Sequence, residues 1–399
     1  MHHAVGLAGL VLFLMVAAEA FEVMLLPRRV RRSLRFVRYF FRGTWGLWSS
    51  VAKRLSRRSF RDAFLSLYGP LSMVLLLTSW ASLIVLSLAL VHYGLENGFE
   101  RPLSLGGALY WSGSNFFTIV SGDVHPTTRL AKGLSVFEAG TGLAFITITI
   151  SYLPVLYQLF SRREDRVIKL DARAGSPPSA TGLLVRHGEQ DALDELQRFL
   201  HEWEDWCTVL LESHLSYPML SYYRSQHDNQ SWLAAMATVL DTCALILTGL
   251  SGVRTFNAKM TFALARLAAV ELSRVFHLKM QVHTTERLPR EDFDKLREAL
   301  EGAGLEFSSE EDPEERLRAI RATYEPFLFA LSEHFLVQLP GWLPSTEPDN
   351  WQRSSRGRSA GRLVESSPVE PGQSRTANSE SLVRMDNGAS AITSQNSSS

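Results

Sequence analysis

Acidic residues are missing where basic ones are densest: from Arg28 to Arg61 the chain carries many Arg and no Asp or Glu. The overall balance, 41 Lys and Arg against 41 Asp and Glu, hides this segregation. A basic block beside apolar runs fits the cytoplasmic face of a membrane, and no nucleic-acid partner is expected. Cysteine is nearly absent. Cys207 and Cys243 imply no disulfide framework and read as small apolar core residues. Glycine patterns that cradle phosphates or dinucleotides are lacking, as is a nucleophile elbow, so neither a nucleotide-gating domain nor an enzyme is indicated. His201, His214 and His227 share no metal-ligand spacing, so no metal and no cofactor is expected.

Charge is also missing from Leu71 to Tyr93. At about 1.5 Å per residue this run can cross a hydrocarbon layer of about 30 Å. Gly133 to Phe160 reads as the return helix; it holds one acid, Glu138, and is followed by Arg162 and Arg163. A third apolar run opens the chain, from Ala4 to Leu26, with its positive flank on the far side at Arg28, Arg29, Arg31 and Arg32. Ala18-Glu19-Ala20 resembles a small-residue cleavage site, but the N-terminal flank lacks Lys and Arg, so an uncleaved membrane helix is expected. The basic flanks agree on one topology, with the N-terminus outside and the C-terminal half in the cytoplasm. Between the first two spans, Phe36, Phe40, Trp45 and Trp48 alternate with Arg35, Arg38, Arg42 and Lys53. That pattern suits a helix in the headgroup layer, with Arg toward anionic lipid.

From Ser104 to Asp123 the chain is too short and too weakly apolar to cross and return. A half-helix from about Leu105 to Phe117, dipping in from outside and followed by an extended return, fits the length. Irregular backbone at that depth is tolerated only where protein buries it or it lines an aqueous path. The C-terminal carbonyls of such a half-helix favour a cation, and further backbone carbonyls can replace part of its hydration shell.

Ala108-Leu109-Tyr110-Trp111-Ser112, Thr118-Ile119-Val120-Ser121-Gly122-Asp123 and Pro126 resemble the pore loop of bacterial potassium channels with two helices per subunit. The resemblance covers about residues 71–164. It implies a selectivity filter at Thr118–Asp123, a pore-helix cuff at Tyr110 and Trp111, and a gating hinge at Gly142. It also implies a homotetramer, since the chain has one pore loop, and a permeant monovalent cation, K⁺ first. Pro154 adds a second bending point, because it removes an intrahelical hydrogen bond. Two filter positions depart from the family. Val120 stands at the first filter glycine, where a β-branched residue resists positive φ, and Ser121 replaces the tyrosine that would reach the cuff. Potassium selectivity therefore does not follow from the resemblance. Glu138 could support the back of the filter, but an interfacial acid without a special role is the preferred reading.

Beyond Arg163 the character changes. Gly175-Ser176-Pro177-Pro178-Ser179 reads as a linker. Asp191 to Leu215, Ser231 to Leu250, Lys259 to Leu278, Asp292 to Glu301 and Pro313 to Leu339 read as helices of a soluble bundle. The run 231–250 could be a further span, but Asp241, Thr242 and Cys243 in its middle favour a buried helix. The polar and aromatic run from His214 through Pro218 and Arg224 to Gln230 could bind a ligand or another subunit, or form a hydrogen-bonded turn. From about Glu347 the composition is that of a disordered tail.

The expected fold is an all-α membrane protein. It comprises an N-terminal membrane helix (1–27), a basic interfacial segment (28–69), a potassium-channel-like pore module of helix, re-entrant pore helix with filter loop, and helix (70–163), a linker (164–185), a helical cytosolic domain (186–345) and a disordered tail (346–399). The expected activity is passive monovalent cation flux through a tetramer in the inner, cytoplasmic membrane. The alternative is a non-conducting, membrane-anchored oligomeric scaffold or signalling protein.

Overall fold

Seryl, threonyl and aspartyl caps mark where several helices begin. The computed structural model describes residues 2–25, 36–95, 97–119, 122, 124–226, 230–280, 286–308 and 312–345. The tail expected over 346–399, the Arg-rich residues 28–35 and His227 lie outside them. Helices α1 (His2–Leu25), α2 (Phe36–Arg54), α3 (Arg58–Ser66), α4 (Tyr68–Gly94), α5 (Leu105–Phe116) and α6 (Arg129–Ala174) form the first half. Then come α7 (Ala180–Glu189), α8 (Leu193–Ser216), a 3-10 turn (Pro218–Tyr222), α9 (Trp232–Gly249), α10 (Phe256–Val275), α11 (Arg290–Gly302), α12 (Pro313–Arg321) and α13 (Glu325–Phe335). The described residues contain two isolated bridges, Phe99 with Pro126 and Leu250 with Phe307, outside any longer strand.

Ser104 Oγ accepts from Gly107 N at 3.1 Å and starts α5, and Thr128 Oγ1 accepts from Ala131 N at 3.2 Å and starts α6. Ser231 caps α9 in the same way, satisfying amide protons that have no intrahelical partner. At the other end of α6, Gly175 takes φ 92°, a conformation open to glycine, and the helix stops.

Four helices are long and apolar enough to cross a membrane, and their burial separates them. Only 22% of the most apolar window of α1 and 17% of that of α6 is buried, against 89% for α9. A helix apolar on every side and covered on every side is the core of a bundle. α9 therefore belongs to the C-terminal helices, as Asp241 suggested.

α1 runs antiparallel to α4. A Cβ at Gly9 would lie 2.6 Å from the Ser87 carbonyl oxygen, and one at Gly94 would lie 2.6 Å from the Gly6 Cα. Glycine at both crossing points lets the two backbones touch, the way apolar helices gain contact where lipid offers no hydrophobic drive.

Two expectations need correction. Residues 164–185 are not an exposed linker: α6 continues to Ala174, and Ser176 and Ser179 are buried in the turn leading to α7. Gly and Pro punctuate the helix here without opening the chain to solvent. The aromatic side of α2, expected in the headgroup layer, is seated on protein. Phe41 stacks on Tyr222 at 5.6 Å, Trp48 stacks on Phe64 at 4.2 Å, and Trp45 Nε1 donates to the His334 carbonyl at 2.9 Å. Arg38, Arg42, Lys53 and Arg54 remain exposed on the other faces.

The one acid of α9 is neutralised inside the bundle. Asp241 meets Arg287 at 2.7 Å and accepts from the Tyr324 hydroxyl at 2.7 Å. Arg287 also reaches Glu325 at 3.0 Å and the Pro340 carbonyl at 3.0 Å, and lies over the Trp342 ring. Removing one member of a buried ion pair strands the other charge, at a cost of about 3–5 kcal/mol. Asp241→Ala is therefore expected to lower the melting temperature of the full-length protein strongly. An Asp241→Ala variant that melts with the wild type would mean that water reaches Arg287.

Three histidines of this half have depressed proton affinity. Burial lowers His187 and His214, the latter helped by the adjacent Arg163 cation, and burial takes His334 to about 4. Their unfolded forms bind a proton below about pH 6.5 and the folded forms bind it only at lower pH, so the unfolded chain holds more protons as pH drops. Their stabilising contribution is complete above that value and is lost as pH falls toward 4. Melting of the full-length protein between roughly pH 8 and 5 is expected to shift downward with acid, and less so in His334→Gln.

Candidate pore module

α5 is a half-length helix set between α4 and α6, and its C-terminal end is built in detail. The Thr118 amide donates to the Asn115 carbonyl at 3.0 Å and the Ile119 amide to the Ser114 carbonyl at 2.7 Å. Thr118 takes φ 55°. This is the paired bond pattern that closes a helix on a left-handed residue, a place usually given to glycine. For a β-branched residue that conformation costs about 1–2 kcal/mol. The sequence suggested an extended segment directly after the helix; instead the chain makes a left-handed turn at Thr118 before continuing.

Phe117, Thr118, Ile119 and Gly122 are exposed on the single chain, Ile119 to 61%. Val120, Ser121 and Asp123, the remaining filter positions of the sequence reading, lie outside the described residues. The two cuff residues part company. Trp111 turns into its own chain, edge-on to Phe99 at 5.9 Å with Ala131 beside it, whereas Tyr110 is 53% exposed.

Gly142 is buried in α6 directly beneath the end of α5. A Cβ at that position would fall on the Phe116 carbonyl oxygen. Glycine is thus required for close approach of two backbones. α6 runs through both Gly142 and Pro154 as one helix, and Pro154 leaves the Ile150 carbonyl without its usual amide donor. A side chain at 142 must displace the pore helix, an overpacking cost of about 1–3 kcal/mol. Gly142→Ala is expected to lower thermal stability by that order. A Gly142→Ala protein of unchanged stability but altered opening would instead assign Gly142 to bending alone.

The residue that sequence reasoning undervalued is Glu138. It is 0% exposed, and its two oxygens gather groups from two neighbouring helices. His92 Nε2 of α4 lies 3.0 Å from Oε2, Asn115 Nδ2 of α5 donates to Oε2 at 3.4 Å, and Ser112 Oγ of α5 bonds Oε1. Ser112 Oγ is also 2.8 Å from the Val85 carbonyl. Phe99 packs edge-on against His92 at 5.6 Å and joins this cluster to the loop beyond the pore segment, where Phe99 bridges Pro126. One signal was available: an acid inside an apolar span needs a partner.

At the other end of α6, Arg163 is buried and fully used. It pairs with Glu164 at 2.9 Å and donates to the Leu220 carbonyl at 2.9 Å and the Tyr223 carbonyl at 2.7 Å. Its Nη1 lies 3.3 Å from His214 Nε2, and the backbone carbonyl of Arg163 accepts from Trp206 Nε1 at 3.1 Å. Burial lowers the Arg163 pKa against the raising pull of Glu164. The run from His214 to Arg224 is thereby turned inward, onto α6, α2 and α13. Arg224 itself donates to the Phe335 and Leu336 carbonyls at 2.8 and 2.9 Å. His201 is on the surface near Glu204, and no three metal-ligating side chains cluster among the described residues.

Residues 73–158 match a family model described as "Ion channel". The span runs from α4 through α5 into α6 and contains the whole pore segment. Over 189 residues the chain is 26% identical to a protein of Bacillus subtilis (strain 168) described as "Uncharacterized membrane protein YdjJ". That alignment takes in 46% of this chain and 54% of the relative, so the chain spans about half the length of the relative it matches. No solved structure matches. The chain is a multi-pass membrane protein, all-helical among the described residues, and its residues 73–158 match the ion-channel model.

Proposed function

We propose that this protein is one subunit of a homotetrameric channel that passes monovalent cations, K⁺ first, down their gradient. The observation that carries this reading is the half-length α5, set between two long apolar helices and ending on the strained Thr118 turn with its carbonyl end away from the loops. A helix C-terminus carries partial negative charge, and at membrane depth it has little water to screen it, so it favours a cation. Backbone strain of this sort persists where the surroundings over-determine it, commonly at functional sites.

Surface chemistry supports several copies per pore. Val136, Leu143, Ile150 and Tyr157 are among the residues that leave α6 exposed on the single chain, beside Phe117 and Ile119. One chain cannot enclose a path with one pore loop, and closed cyclic assembly of identical chains is the ordinary solution. The reading places the protein in the inner membrane, with the N-terminus outside and the C-terminal helices in the cytoplasm. Its support is the basic charge beside α2 and at Arg162 and Arg163, together with the antiparallel course of α1, α4 and α6. Glycine and tyrosine are replaced by Val120 and Ser121, so the filter is expected to discriminate weakly between K⁺ and Na⁺.

Full-length protein in liposomes is expected to pass K⁺ and Na⁺ passively. The double substitution Val120→Gly with Ser121→Tyr is expected to raise the K⁺ to Na⁺ ratio severalfold. An unchanged ratio would show that these positions do not line the ion path. Absence of flux across the tested voltages, pH values and cations would favour the second reading, an oligomeric scaffold built on a pore fold. The replaced filter residues are the observation on its side.

A further inference from the structure

A single proton can complete the Glu138 cluster in two different ways. Ser112 has one hydroxyl hydrogen and two acceptors within reach, the Val85 carbonyl and Glu138 Oε1. With Glu138 ionised, Ser112 donates to Oε1 while His92 Nε2 and Asn115 Nδ2 donate to Oε2. The Val85 carbonyl then keeps its ordinary helical bond. With Glu138 protonated, its hydroxyl donates to Ser112 Oγ, and Ser112 turns its own hydrogen to Val85. Both arrangements satisfy every oxygen, and they differ by one proton and by which helix Ser112 grips. In the first, α5 is tied to α6; in the second, Ser112 acts as a relay from α6 through α5 to α4.

The surroundings leave this proton little competition. His92 is fully buried, and its Nδ1 has no hydrogen-bond partner among the described residues. α5 contributes neutral Ser112 and Asn115, and the 95–104 loop contributes Phe99 against the His92 ring. The charged or titratable groups described at this end of the module include Glu100, Arg101, His125, Arg129, Lys132, His3 and Tyr110, all exposed, together with Tyr93 and His2, whose rings meet at a tilt. Glu138 and His92 are therefore the titratable pair enclosed by α4, α5 and α6.

We propose that Glu138 is the positioning residue of the pore loop and that gain or loss of one proton on Glu138 switches the loop between two held states. This rests on the channel reading above. The strained Thr118 turn lies three residues beyond Asn115, and Gly142 lies four residues beyond Glu138 under the Phe116 carbonyl. A change in how Ser112 and Asn115 are held therefore acts directly on the start of the ion path. The site takes a proton and no other ligand. Phe99 of the 95–104 loop packs on the His92 ring, so the loop side is the nearer one and pH there is the proposed signal.

The test uses full-length protein in liposomes, with pH on the loop side stepped between roughly 8 and 5. Wild-type flux, or its K⁺ to Na⁺ ratio, is expected to change about fivefold or more across that range, the size of an ordinary coupling. Glu138→Gln is always uncharged and offers an N–H donor beside an acceptor oxygen, standing in for the protonated carboxyl, and is expected to hold the acid-side behaviour at every pH. A flat wild-type profile, or a Glu138→Gln profile that follows the wild type, overturns the proposal. Infrared titration separates this from the channel reading, because it needs no flux. A carboxylic-acid band should appear with acid in the wild type and be missing in Glu138→Gln; its absence from the wild type overturns the switch even where flux is seen. Loss of wild-type flux at every pH, with the band present, overturns the channel reading and with it the control of the pore loop. Where Glu138→Gln fails to fold, Ser112→Ala serves instead: losing the relay should move the midpoint of the band by about one pH unit or more, a tenfold change in proton affinity. An unmoved midpoint overturns the relay.

Discussion

Irregular backbone at membrane depth has to be held by protein, because lipid satisfies none of its polar groups. In this chain the half-helix α5 is held by Glu138. Its carboxyl group is cut off from solvent and joins α4, α5 and α6 through His92, Ser112 and Asn115. Four residues on, Gly142 lets the Phe116 carbonyl settle on the α6 backbone. Residues four apart are neighbours on a helix surface, so the polar bond and the close approach lie on one face of α6. The half-helix is thus fixed at its middle and at its end by the same strip of the same helix.

That helix does not stop at the membrane boundary. α6 carries on to Ala174, and Arg163 fastens it to the segment between α8 and α9 through two backbone carbonyls. The same segment supplies Tyr222, against which Phe41 of α2 and Phe335 of α13 pack. A displacement of α6 at this level must therefore either carry the 3-10 turn and α2 along or break buried charge-assisted hydrogen bonds, which are costly to leave unmade. Arg163 also requires a neutral His214, since the ring nitrogen facing it must accept. The electrostatics of the C-terminal helices are consequently those of closed pairs and neutral histidines.

Much of this was legible in the residues. The uncharged run Leu71–Tyr93 falls within α4, and the half-helix expected over 105–117 ends one residue from the observed α5, since Ser104 is a cap and the apolar period is short. Asp241, Thr242 and Cys243 favoured a bundle over a further span for residues 231–250. What the sequence withheld are relations between helices. Nothing in the spacing of α6 says that Glu138 faces His92, 46 residues earlier. Gly142 looks the same in a sequence whether it bends a helix or admits a neighbour. The interleaved Arg and aromatics of α2 do indicate an amphipathic helix, yet periodicity cannot say whether the aromatic side meets lipid or protein. Gly175 and the two prolines after it were read as open chain because composition reports turns and not whether a turn is buried.

Burial sorts the apolar helices by the kind of neighbour each requires. α9 has its partners within the chain: almost all its side chains are covered, and its one acid is paired with Arg287. α6 differs along its apolar stretch. Its inward strip is used by Glu138 and Gly142, while Val136, Leu143 and Ile150 stay uncovered. Such a surface is costly in water and costs nothing in lipid or against another copy, which is why a helix so bare can coexist with a C-terminal half that hides its apolar residues well. Two sets of rules operate in one continuous chain. The boundary between them falls near Arg163, where the first buried charge after Glu138 is met and where the exposed apolar stretch of α6 gives way to paired polar groups.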